Sequence, residues 1–488
     1  MKMRFFFLTL VILSSVMKSA AQNLNKVVNE IKNYEYFSGG QVALLAQDVK
    51  TGEVLASLNP DMSVIPASNT KLFSTAAALE LYSPDYKYTT RLLYTGEIDG
   101  SGVLRGNLII KGGGDPTLGS KFFNDRENFY YDSKFAAAVR AAGIKRISGN
   151  VIGDASLYEK EMTPPTWSWE DLGNYYGAVP NGLTVCDNLT TLHFKTGKDG
   201  TTAVYTGCDP EIKGMQIESA AIASKNVTRE NTNVYGKSYQ YNKYVEGFVP
   251  QNRADVTVKT VIPDPALFAA GRLADTLNAS GIQVLGKAMS AYQNSRYANL
   301  DTAAKELCVI ESPTLAEIIQ QTNFYSINLY AEHCLSLVGL KQLNKTGINS
   351  ASWALMNFWR DKGMDVKGLS LNDGCGLSHY NIITPRQLCW LLTYMHNTSQ
   401  YYTAFNESLT MCGVKGTMSG MCLNTRAANN ARGKSGTIRR VKSYSGYVTS
   451  RSGRELVFSI IINNFTCSSS ETRSVMEKFI VALAEYNK

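Results

Sequence analysis

The stretch PASNTKLFSTAAALEL, residues 66–81, places a serine and a lysine three residues apart at the start of a predicted helix. Residues at this spacing share one helix face, so Ser68 and Lys71 are expected to lie within hydrogen-bonding reach. Ser68 fits either a helix N-cap or a nucleophile whose proton passes to Lys71. The second interpretation requires a neutral lysine, and burial or a neighbouring positive charge would lower its pKa enough.

The segment ARGKSGTIRRV, residues 431–441, supplies a candidate for that neighbouring charge. Lys434 offers a fixed cation, and Gly436 permits close approach of the backbone to a ligand. Ser435 and Thr437 each offer a hydroxyl group to a carboxylate. Taken alone, K-S-G also fits the entry of a strand with an exposed lysine.

A third motif lies in TNFYSINLYAEH, residues 322–333, where Ser326 and Asn328 precede a helical run. An isolated S-x-N is more often a helix cap than a catalytic element. The order S-x-x-K, S-x-N, K-[ST]-G along one chain is much harder to explain as three unrelated caps and strand ends. Together the motifs predict an active-site serine.

The three motifs in this order resemble those of penicillin-binding proteins and serine β-lactamases. The long gap between the first two is similar to that of D-alanyl-D-alanine carboxypeptidases/endopeptidases of penicillin-binding protein 4 type, the class C low-molecular-mass penicillin-binding proteins. The likeness covers nearly the whole mature chain. Four further segments are similar in sequence to this family: GGGDPTLGS at 112–120, WSWEDLGNYYGA at 167–178, NDGCGLSHYNIITP at 372–385 and GVKGTMSG at 413–420.

The resemblance implies a role for each member of the first two motifs. Ser68 would attack the carbonyl between two D-alanines and form an acyl-enzyme, and Lys71 would accept its proton. Ser326 would relay a proton to the leaving amine. Asn328 would hold the substrate amide and orient Lys71. The implied substrates are peptidoglycan stem peptides and their cross-links, and β-lactams would trap Ser68 as inhibitors.

The K-S-G motif is implied to bind the terminal carboxylate of the substrate. Lys434 would attract it, Ser435 and Thr437 would donate hydrogen bonds, and Gly436 would let the substrate approach the strand. The oxyanion would accept from the backbone N–H groups of Ser68 and Thr437, and each such donor is typically worth ~3 kcal/mol. No metal or organic cofactor is implied.

Three positions depart from the family pattern. Ser435 replaces the usual Thr but keeps the hydroxyl, and His379 stands where Arg is common. Cys375 stands where Ser is frequent, and we interpret it as a packed thiol, with a disulfide to Cys334 or Cys389 as the alternative. We interpret two acids as turn residues and four aromatic residues as packing of an inserted module: Asp115, Asp373, Trp167, Trp169, Tyr175 and Tyr176.

The strand pattern predicts one antiparallel sheet made from both ends of the chain, and the fold class is α/β. Strands are predicted within 41–49 and 53–59, and again within 434–441, 444–449 and 455–463, followed by a closing helix. The resemblance implies a transpeptidase-like domain, with this sheet flanked by helices and by a helical subdomain. Its predicted extent is 22–94 plus 294–488, around a β-rich insertion at 95–293.

Composition and charge limit where the protein acts and what it can bind. Residues 1–21 resemble a signal peptide, which predicts an exported, periplasmic protein; peripheral association with a membrane or the wall stays open. The formal charge of +8, about +5 after cleavage, is too mild and scattered for nucleic-acid binding. Nine cysteines leave at least one unpaired within the chain, and the candidate bridges are Cys186 with Cys208 and Cys412 with Cys422. No histidine has a second ligand at metal spacing.

Two alternatives to the peptidase remain at this stage. One is a serine β-lactamase, although no deacylating Glu motif is evident and the inserted modules are unnecessary for so small a substrate. The other is a catalytically silent peptidoglycan-binding scaffold, which loss of Ser68, Lys71 or Lys434 would have favoured. The oligomeric state and the balance between carboxypeptidase and endopeptidase activity are not encoded in any motif.

Overall fold

The computed structural model describes residues 23–293 and 304–488. The predicted signal peptide at 1–21 lies outside these residues. Within the described ranges, no helix has the length and apolar character needed to cross a membrane.

A six-stranded antiparallel sheet joins the two ends of the chain. Gln41–Asp48 pairs with Glu455–Asn463 along its whole length, from Gln41 opposite Asn463 to Asp48 opposite Leu456. The sheet prediction is therefore confirmed. In spatial order the strands are Thr410–Met411, Arg432–Ile438, Val441–Thr449, Glu455–Asn463, Gln41–Asp48 and Val54–Leu58.

Helices cover both faces of this sheet, which explains why its central strands are apolar on both faces. One face packs against residues 23–32 and the closing helix Ser469–Ala484, which Ser468 caps through a hydrogen bond from the Glu471 N–H. The other face packs against Pro385–Asn397, where Thr384 and Gln387 form a capping box. Four apolar residues that recur at helical spacing in the closing helix are all buried: Val475, Phe479, Ile480 and Leu483.

A helical region stands beside the sheet and surrounds Lys71–Tyr82, whose first nine residues are all buried. Because this helix has no exposed face along that length, it is the centre of the region rather than a surface element. Trp359 donates to the Phe73 carbonyl at 3.2 Å and anchors a neighbouring helix to it. The surrounding helices are Leu315–Tyr325, Asn328–Leu343, Ile348–Asp361 and Tyr402–Ser408.

The inserted region begins with a five-stranded and a four-stranded sheet that share one core with two helices. The helices, Tyr131–Ala141 and Pro265–Ala279, were not predicted. In both sheets, neighbouring strands are hydrogen-bonded in the following order. The first contains Ala288–Ser290, Val151–Asp154, Leu108–Lys111, Thr89–Tyr94 and Lys305–Glu311; the second contains Gln283–Val284, Arg146–Ile147, Val103–Arg105 and Glu97–Ile98.

A second inserted module has its own core between two three-stranded sheets. The strands are Val204–Asp209, Leu189–Lys195 and Val256–Val261 in one sheet and Gln216–Ser224, Asn242–Pro250 and Asn231–Tyr235 in the other. The five-stranded sheet also contains Thr89–Tyr94 paired with Lys305–Glu311, and these strands lie outside the predicted insertion at 95–293. We propose domain boundaries near residues 89 and 311.

All nine cysteines lie in the described residues and carry free thiols. The predicted Cys186–Cys208 bridge does not form, because Cys186 packs against the core of the first module and Cys208 against that of the second. Cys412 and Cys422 are also unbridged, and their thiols share a hydrogen bond.

His333 connects the helical region to the insertion. It is fully buried on Asn328–Leu343, with its Nδ1 3.2 Å from the Tyr158 hydroxyl and its Nε2 3.0 Å from Thr184 Oγ1. Burial lowers the pKa of His333 to about 3. His333 therefore stays neutral in the folded chain at pH values below about 6.5, where the unfolded chain protonates it.

We expect His333→Asn to weaken the acid sensitivity of the fold. Since the unfolded state gains the proton first, the His333 contribution to stability falls by up to ~1.4 kcal/mol per pH unit below about 6.5. Between pH 6.5 and 4.5 the wild type should lose about 2 kcal/mol more free energy of unfolding than the variant. Urea unfolding at the two pH values measures this, with the exposed His379→Asn as control. Equal losses in wild type and His333→Asn would contradict the prediction.

Candidate active site

Ser68 lies in a 3₁₀ turn, Ala67–Thr70, directly ahead of the helix Lys71–Tyr82. The N-cap interpretation of Ser68 is wrong, because Pro66 and Thr70 occupy the cap positions and neither makes a side-chain cap. The Ser68 hydroxyl accepts a hydrogen bond from Lys71 Nζ at 2.9 Å instead.

The turn that carries Ser68 is strained and is held by the neighbouring sheet. Ala67 has a φ of +48°, a left-handed conformation that a residue with a side chain rarely adopts. Asn69 donates to the Ser443 hydroxyl, and this hydroxyl donates to the Pro66 carbonyl at 2.6 Å. Such strain persists only where the surroundings fix it. Here the strand Val441–Thr449 does so, and it sets the position of Ser68.

The Lys71 ammonium is fully buried and contacts three oxygen atoms from three segments of the chain. Its Nζ lies 2.9 Å from Ser68 Oγ, 2.7 Å from Asn328 Oδ1 and 2.7 Å from the Cys375 carbonyl. Burial lowers the pKa of Lys71, and the nearby acids Asp373 and Glu332 oppose that shift. A neutral Lys71 could accept the Ser68 proton along the existing contact.

The Cys375 carbonyl is positioned by Asp373, whose carboxylate organises the loop around it. Its oxygens accept from the backbone N–H of Gly376 at 2.7 Å and from that of Ser378 at 2.7 Å. They also accept from Trp167 Nε1 at 2.8 Å and from Asn381 Nδ2 at 2.7 Å. The interpretation of Asp373 as a turn residue is confirmed, and the turn it forms delivers a ligand to Lys71.

Glu332, Asp373 and Cys375 form a buried cluster whose donor atoms lie within 4.8 Å of one another. A cation would require deprotonated ligands. Burial raises the pKa of Glu332 to about 8 and that of Cys375 well above its usual range. Glu332 accepts from the Gly374 N–H at 2.9 Å and from the Cys375 thiol. The cluster therefore suits shared hydrogens rather than a metal ion.

Lys434 meets Ser326 on the opposite side of the site. Ser326 ends the helix Leu315–Tyr325 with a φ of +59°, and its hydroxyl accepts from Lys434 Nζ at 2.9 Å. Lys434 is fully buried and also donates to the Ser435 carbonyl at 2.7 Å. Burial lowers its pKa, and the Lys71 charge adds to that shift. For Lys71 itself burial is the largest cause, which is the first of the two causes considered for a lowered Lys71 pKa.

Asn328, the first residue of Asn328–Leu343, connects the site to the insertion. Its Oδ1 accepts from Lys71, and its Nδ2 donates to the Tyr176 carbonyl at 2.8 Å. Both ends of the amide are therefore fixed. Tyr176 contributes through its backbone, and no motif in the sequence indicated this.

Gly436 brings the edge strand Arg432–Ile438 against the Ser68 turn. A Cβ atom at this position would lie 2.7 Å from the Pro66 carbonyl oxygen and 2.9 Å from the Ser68 nitrogen. The neighbouring hydroxyls are held as well: Ser435 donates to Thr417 Oγ1 at 2.7 Å. The K-S-G-T stretch and the Ser68 turn are therefore in direct contact.

A cavity of about 710 Å³ opens over these groups. A second cavity of about 700 Å³ adjoins it, and Tyr325, Ser326 and Asn328 line both. The interpretation of the four aromatic residues as packing of the insertion holds for Trp167, which is buried. It is wrong for Trp169 and Tyr175, which are 58% and 56% exposed. Tyr175 and Tyr176 line both cavities. The predicted residues that line the first cavity are Ser68, Ser326, Asn328, Ser435 and Thr437.

Residues 22–486 match the model of the D-Ala-D-Ala carboxypeptidase 3 (S13) family. A D-alanyl-D-alanine carboxypeptidase of Actinomadura sp. is 27% identical over 476 residues, which are 95% of this chain and 85% of that protein. D-alanyl-D-alanine carboxypeptidase DacB of Haemophilus influenzae is 22% identical over 440 residues, 89% of this chain and 88% of the relative. The crystal structure of H. influenzae penicillin binding protein 4 superposes with a TM-score of 0.79 at 20% identity, covering 96% of this chain and all of that one.

We expect Gly436→Ala to displace Ser68. The added methyl group would overlap the Pro66 carbonyl and the Ser68 nitrogen, and a shift near 1 Å in a reacting group costs about 10²-fold in rate. The rate of Ser68 labelling by a fluorescent penicillin measures the loss. Gly100→Ala, an exposed site with open space around its Cβ, serves as the control. Wild-type labelling by Gly436→Ala would show that the close approach has no role.

Proposed function

Because the chain belongs to the D-Ala-D-Ala carboxypeptidase 3 (S13) family, we propose that it cleaves D-alanyl-D-alanine bonds of peptidoglycan through an acyl-enzyme on Ser68. The predicted family, fold class and enzyme class are confirmed by the family match and by the likeness to penicillin binding protein 4. The observation that carries the residue assignment is the 2.9 Å contact between the buried Lys71 amine and the Ser68 hydroxyl.

In the proposed acylation step, neutral Lys71 takes the Ser68 proton as Oγ attacks the carbonyl carbon between the two D-alanines. The carbonyl oxygen becomes an oxyanion and accepts hydrogen bonds from the backbone N–H groups of Ser68 and Thr437. Gly436 supports this geometry, because only a residue without a side chain lets the strand approach the Ser68 nitrogen. Oriented donors of this kind stabilise the transition state without reorganisation.

Collapse of the tetrahedral intermediate breaks the C–N bond and requires a proton on the leaving amine. Ser326 is the proposed relay, because its hydroxyl contacts Lys434 at 2.9 Å and lines the cavity. The proton that Lys71 took from Ser68 passes through Ser326 to this amine, so Lys71 is neutral again once the amine has left. Water then attacks the acyl-enzyme, Lys71 takes a proton from that water, and Ser68 Oγ leaves with a proton returned by Lys71. Asn328 is proposed to hold the amide of the acyl group while it keeps Lys71 in place.

The finer points of the proposal concern ligands and location. β-Lactams are proposed to acylate Ser68 by the same route, and a solved relative of this fold is a complex with a β-lactam. The two adjoining cavities give room for a second peptide stem, which supports cleavage of cross-links as well as removal of the terminal D-alanine. Export to the periplasm rests on the signal-like residues 1–21.

The alternatives have less support. A silent scaffold does not need a hydroxyl, an amine and an amide converging on one cavity, as Ser68, Lys71 and Asn328 do. A β-lactamase does not need inserted modules, and here the insertion contacts the site through the Tyr176 carbonyl. Both features favour an enzyme for a larger substrate.

We expect the purified protein to release D-alanine from pentapeptide muropeptide monomers, to split cross-linked dimers, or to do both. Mass spectrometry of the products separates these outcomes, because D-alanine release assigns a carboxypeptidase and dimer splitting an endopeptidase. Ser68→Ala should be inactive on both substrates, whereas Ser133→Ala, an exposed helical serine, should match the wild type. A wild type that cleaves neither substrate, or an active Ser68→Ala, would refute the proposal.

We also expect Lys71→Arg to lose acylation while it keeps a positive charge. A guanidinium is not deprotonated in proteins, so it cannot accept the Ser68 proton. Loss of a general base typically costs about 10²- to 10⁴-fold, measured here as the labelling rate with fluorescent penicillin. The wild-type rate should rise with pH as Lys71 becomes neutral. Lys478→Arg, on the closing helix, is the control, and wild-type labelling by Lys71→Arg would exclude Lys71 as the base.

A further inference from the structure

The second inserted module has one sheet face that is open to solvent. Along its central strand Asn242–Pro250, Val245 is buried in the core of the module, whereas Tyr244, Glu246 and Phe248 point to the other face. Tyr244 and Glu246 are only half-buried, and Phe248 is 50% exposed. Aromatic surface that gathers on one open face is typical of a binding surface.

Three aromatic rings form a row across this face, which we call the aromatic platform: Tyr244, Tyr235 and Trp169. Tyr244 and Tyr235 are direct partners on neighbouring strands, and their ring centroids lie 6.0 Å apart. Trp169 extends the row beyond Tyr235, with 6.3 Å between ring centroids and 29° between ring planes. Such rings offer a large and rigid apolar surface while one side stays in water.

Polar side chains surround the aromatic platform. Gln216, Gln240 and Asn242 line a cavity of about 380 Å³ together with the three rings. Within residues 23–293 and 304–488, these amide groups make no hydrogen bond to another protein group, so their donors and acceptors are available to a ligand. Two acids on the same face, Glu218 and Glu246, disfavour an anion. The surroundings suit a neutral ligand that has a flat apolar surface and polar edges.

The aromatic platform adjoins the candidate active site by two routes. Trp169 directly precedes Glu170, which lines the cavity of about 710 Å³ over the site. On the edge strand of the sheet, Asn233 lines that cavity and Tyr235 lines the platform cavity. Residues two apart on a strand face the same side and lie about 7 Å apart. A ligand in the active-site cavity can therefore continue onto the platform.

We propose that the aromatic platform binds the glycan strand of peptidoglycan, a chain of N-acetylated amino sugars, while a stem peptide of that strand occupies the active-site cavity. The faces of a pyranose ring carry C–H groups that stack on aromatic rings, and its acetamido group both donates and accepts hydrogen bonds, as the surrounding amides do. The inference rests on the proposed function, because that function brings a glycan-linked peptide to this site.

The length of the stem agrees with this placement. A stem of five residues spans at most about 17 Å when it is fully extended. The sugar that carries the stem must therefore lie close to the active-site cavity, and the aromatic platform begins at its rim, where Trp169 follows Ser168 and precedes Glu170. The insertion thereby gains a role that free peptides would not require.

The first test measures binding without catalysis, by calorimetry of the purified protein with chitohexaose, a neutral chain of six N-acetylglucosamines. We expect the wild type and Ser68→Ala to bind it equally, and to bind cellohexaose, which lacks the acetamido groups, more weakly. Trp169→Ala should weaken chitohexaose binding about 10-fold or more, the usual loss when an aromatic anchor of a binding surface is truncated. Trp169→Phe should retain part of the affinity. Trp353→Ala is the matched control, because Trp353 is 56% exposed on the helix Ile348–Asp361 and should have no effect.

The second test compares the same pentapeptide stem in two forms, free and attached to uncross-linked glycan strands. Trp169→Ala should raise KM for the glycan-linked stem about 10-fold and leave kcat unchanged, because the ring contacts the sugar and not the scissile bond. Its kcat/KM for the free pentapeptide should equal that of the wild type, which also shows that the variant is folded. A general structural defect would impair the cleavage of both forms.

Three results would each overturn the inference: no binding of chitohexaose by the wild type, equal affinity for cellohexaose, or wild-type affinity in Trp169→Ala. Failure of the proposed function gives a different pattern. A wild type that binds chitohexaose through Trp169 but cleaves neither form of the stem would refute the peptidase assignment and leave the glycan site in place.

Discussion

Burial of the Lys71 ammonium is the constraint on which the architecture around the site depends. Removing an ammonium from water costs several kcal/mol even after the protein relaxes. Lys71 offsets this with three oxygen acceptors, and each charge-assisted hydrogen bond contributes about 1.5–3 kcal/mol. The acceptors come from the Ser68 turn, from Asn328 and from the Cys375 loop. Three distant segments must therefore assemble before the charge is tolerated, and the assembled geometry is that of an active site.

The sheet supplies the rigid reference for this assembly. Ser443 ties the Ser68 turn to one strand, and Asn463 on the next strand bonds both the N–H and the carbonyl of Ile65. Because the sheet joins residues from both ends of the chain, Ser68 near the N-terminus and the K-S-G strand near the C-terminus are held by the same sheet. The inserted modules can therefore be large without disturbing the distance between them.

What the sequence predicts depends on whether side chains carry the interaction. Five candidate site residues make their contacts through side chains at fixed spacings, so sequence motifs reveal them. The structure brings all five together: Ser68, Lys71, Ser326, Asn328 and Lys434. The carbonyls of two residues, Cys375 and Tyr176, also hold the site, but any residue has a carbonyl and no pattern marks these. The N-cap interpretation of Ser68 failed because a 3₁₀ turn precedes the helix, and composition does not distinguish the two.

One helix of the insertion was not predicted, although its sequence carries recognisable helix features. Pro265–Ala279 begins with an Asp264 cap and a proline at its first position, and its buried residues recur at helical spacing. The sequences on either side of this helix have the pattern of short strands, which favoured a β-rich prediction for the whole insertion.

The insertion forms part of the candidate active site and is more than an attachment to it. Its Tyr176 carbonyl fixes the Asn328 amide, and the amide orientation decides whether Lys71 meets an oxygen or an NH₂ group. Five residues further along the same helix, His333 hydrogen-bonds to Tyr158 and Thr184 of the same insertion. The helix that begins with Asn328 is thus held at two levels from outside the catalytic region. A displacement of the insertion would rotate Asn328 and change the contact that keeps Lys71 against Ser68, so the inserted modules help to fix the geometry around Ser68.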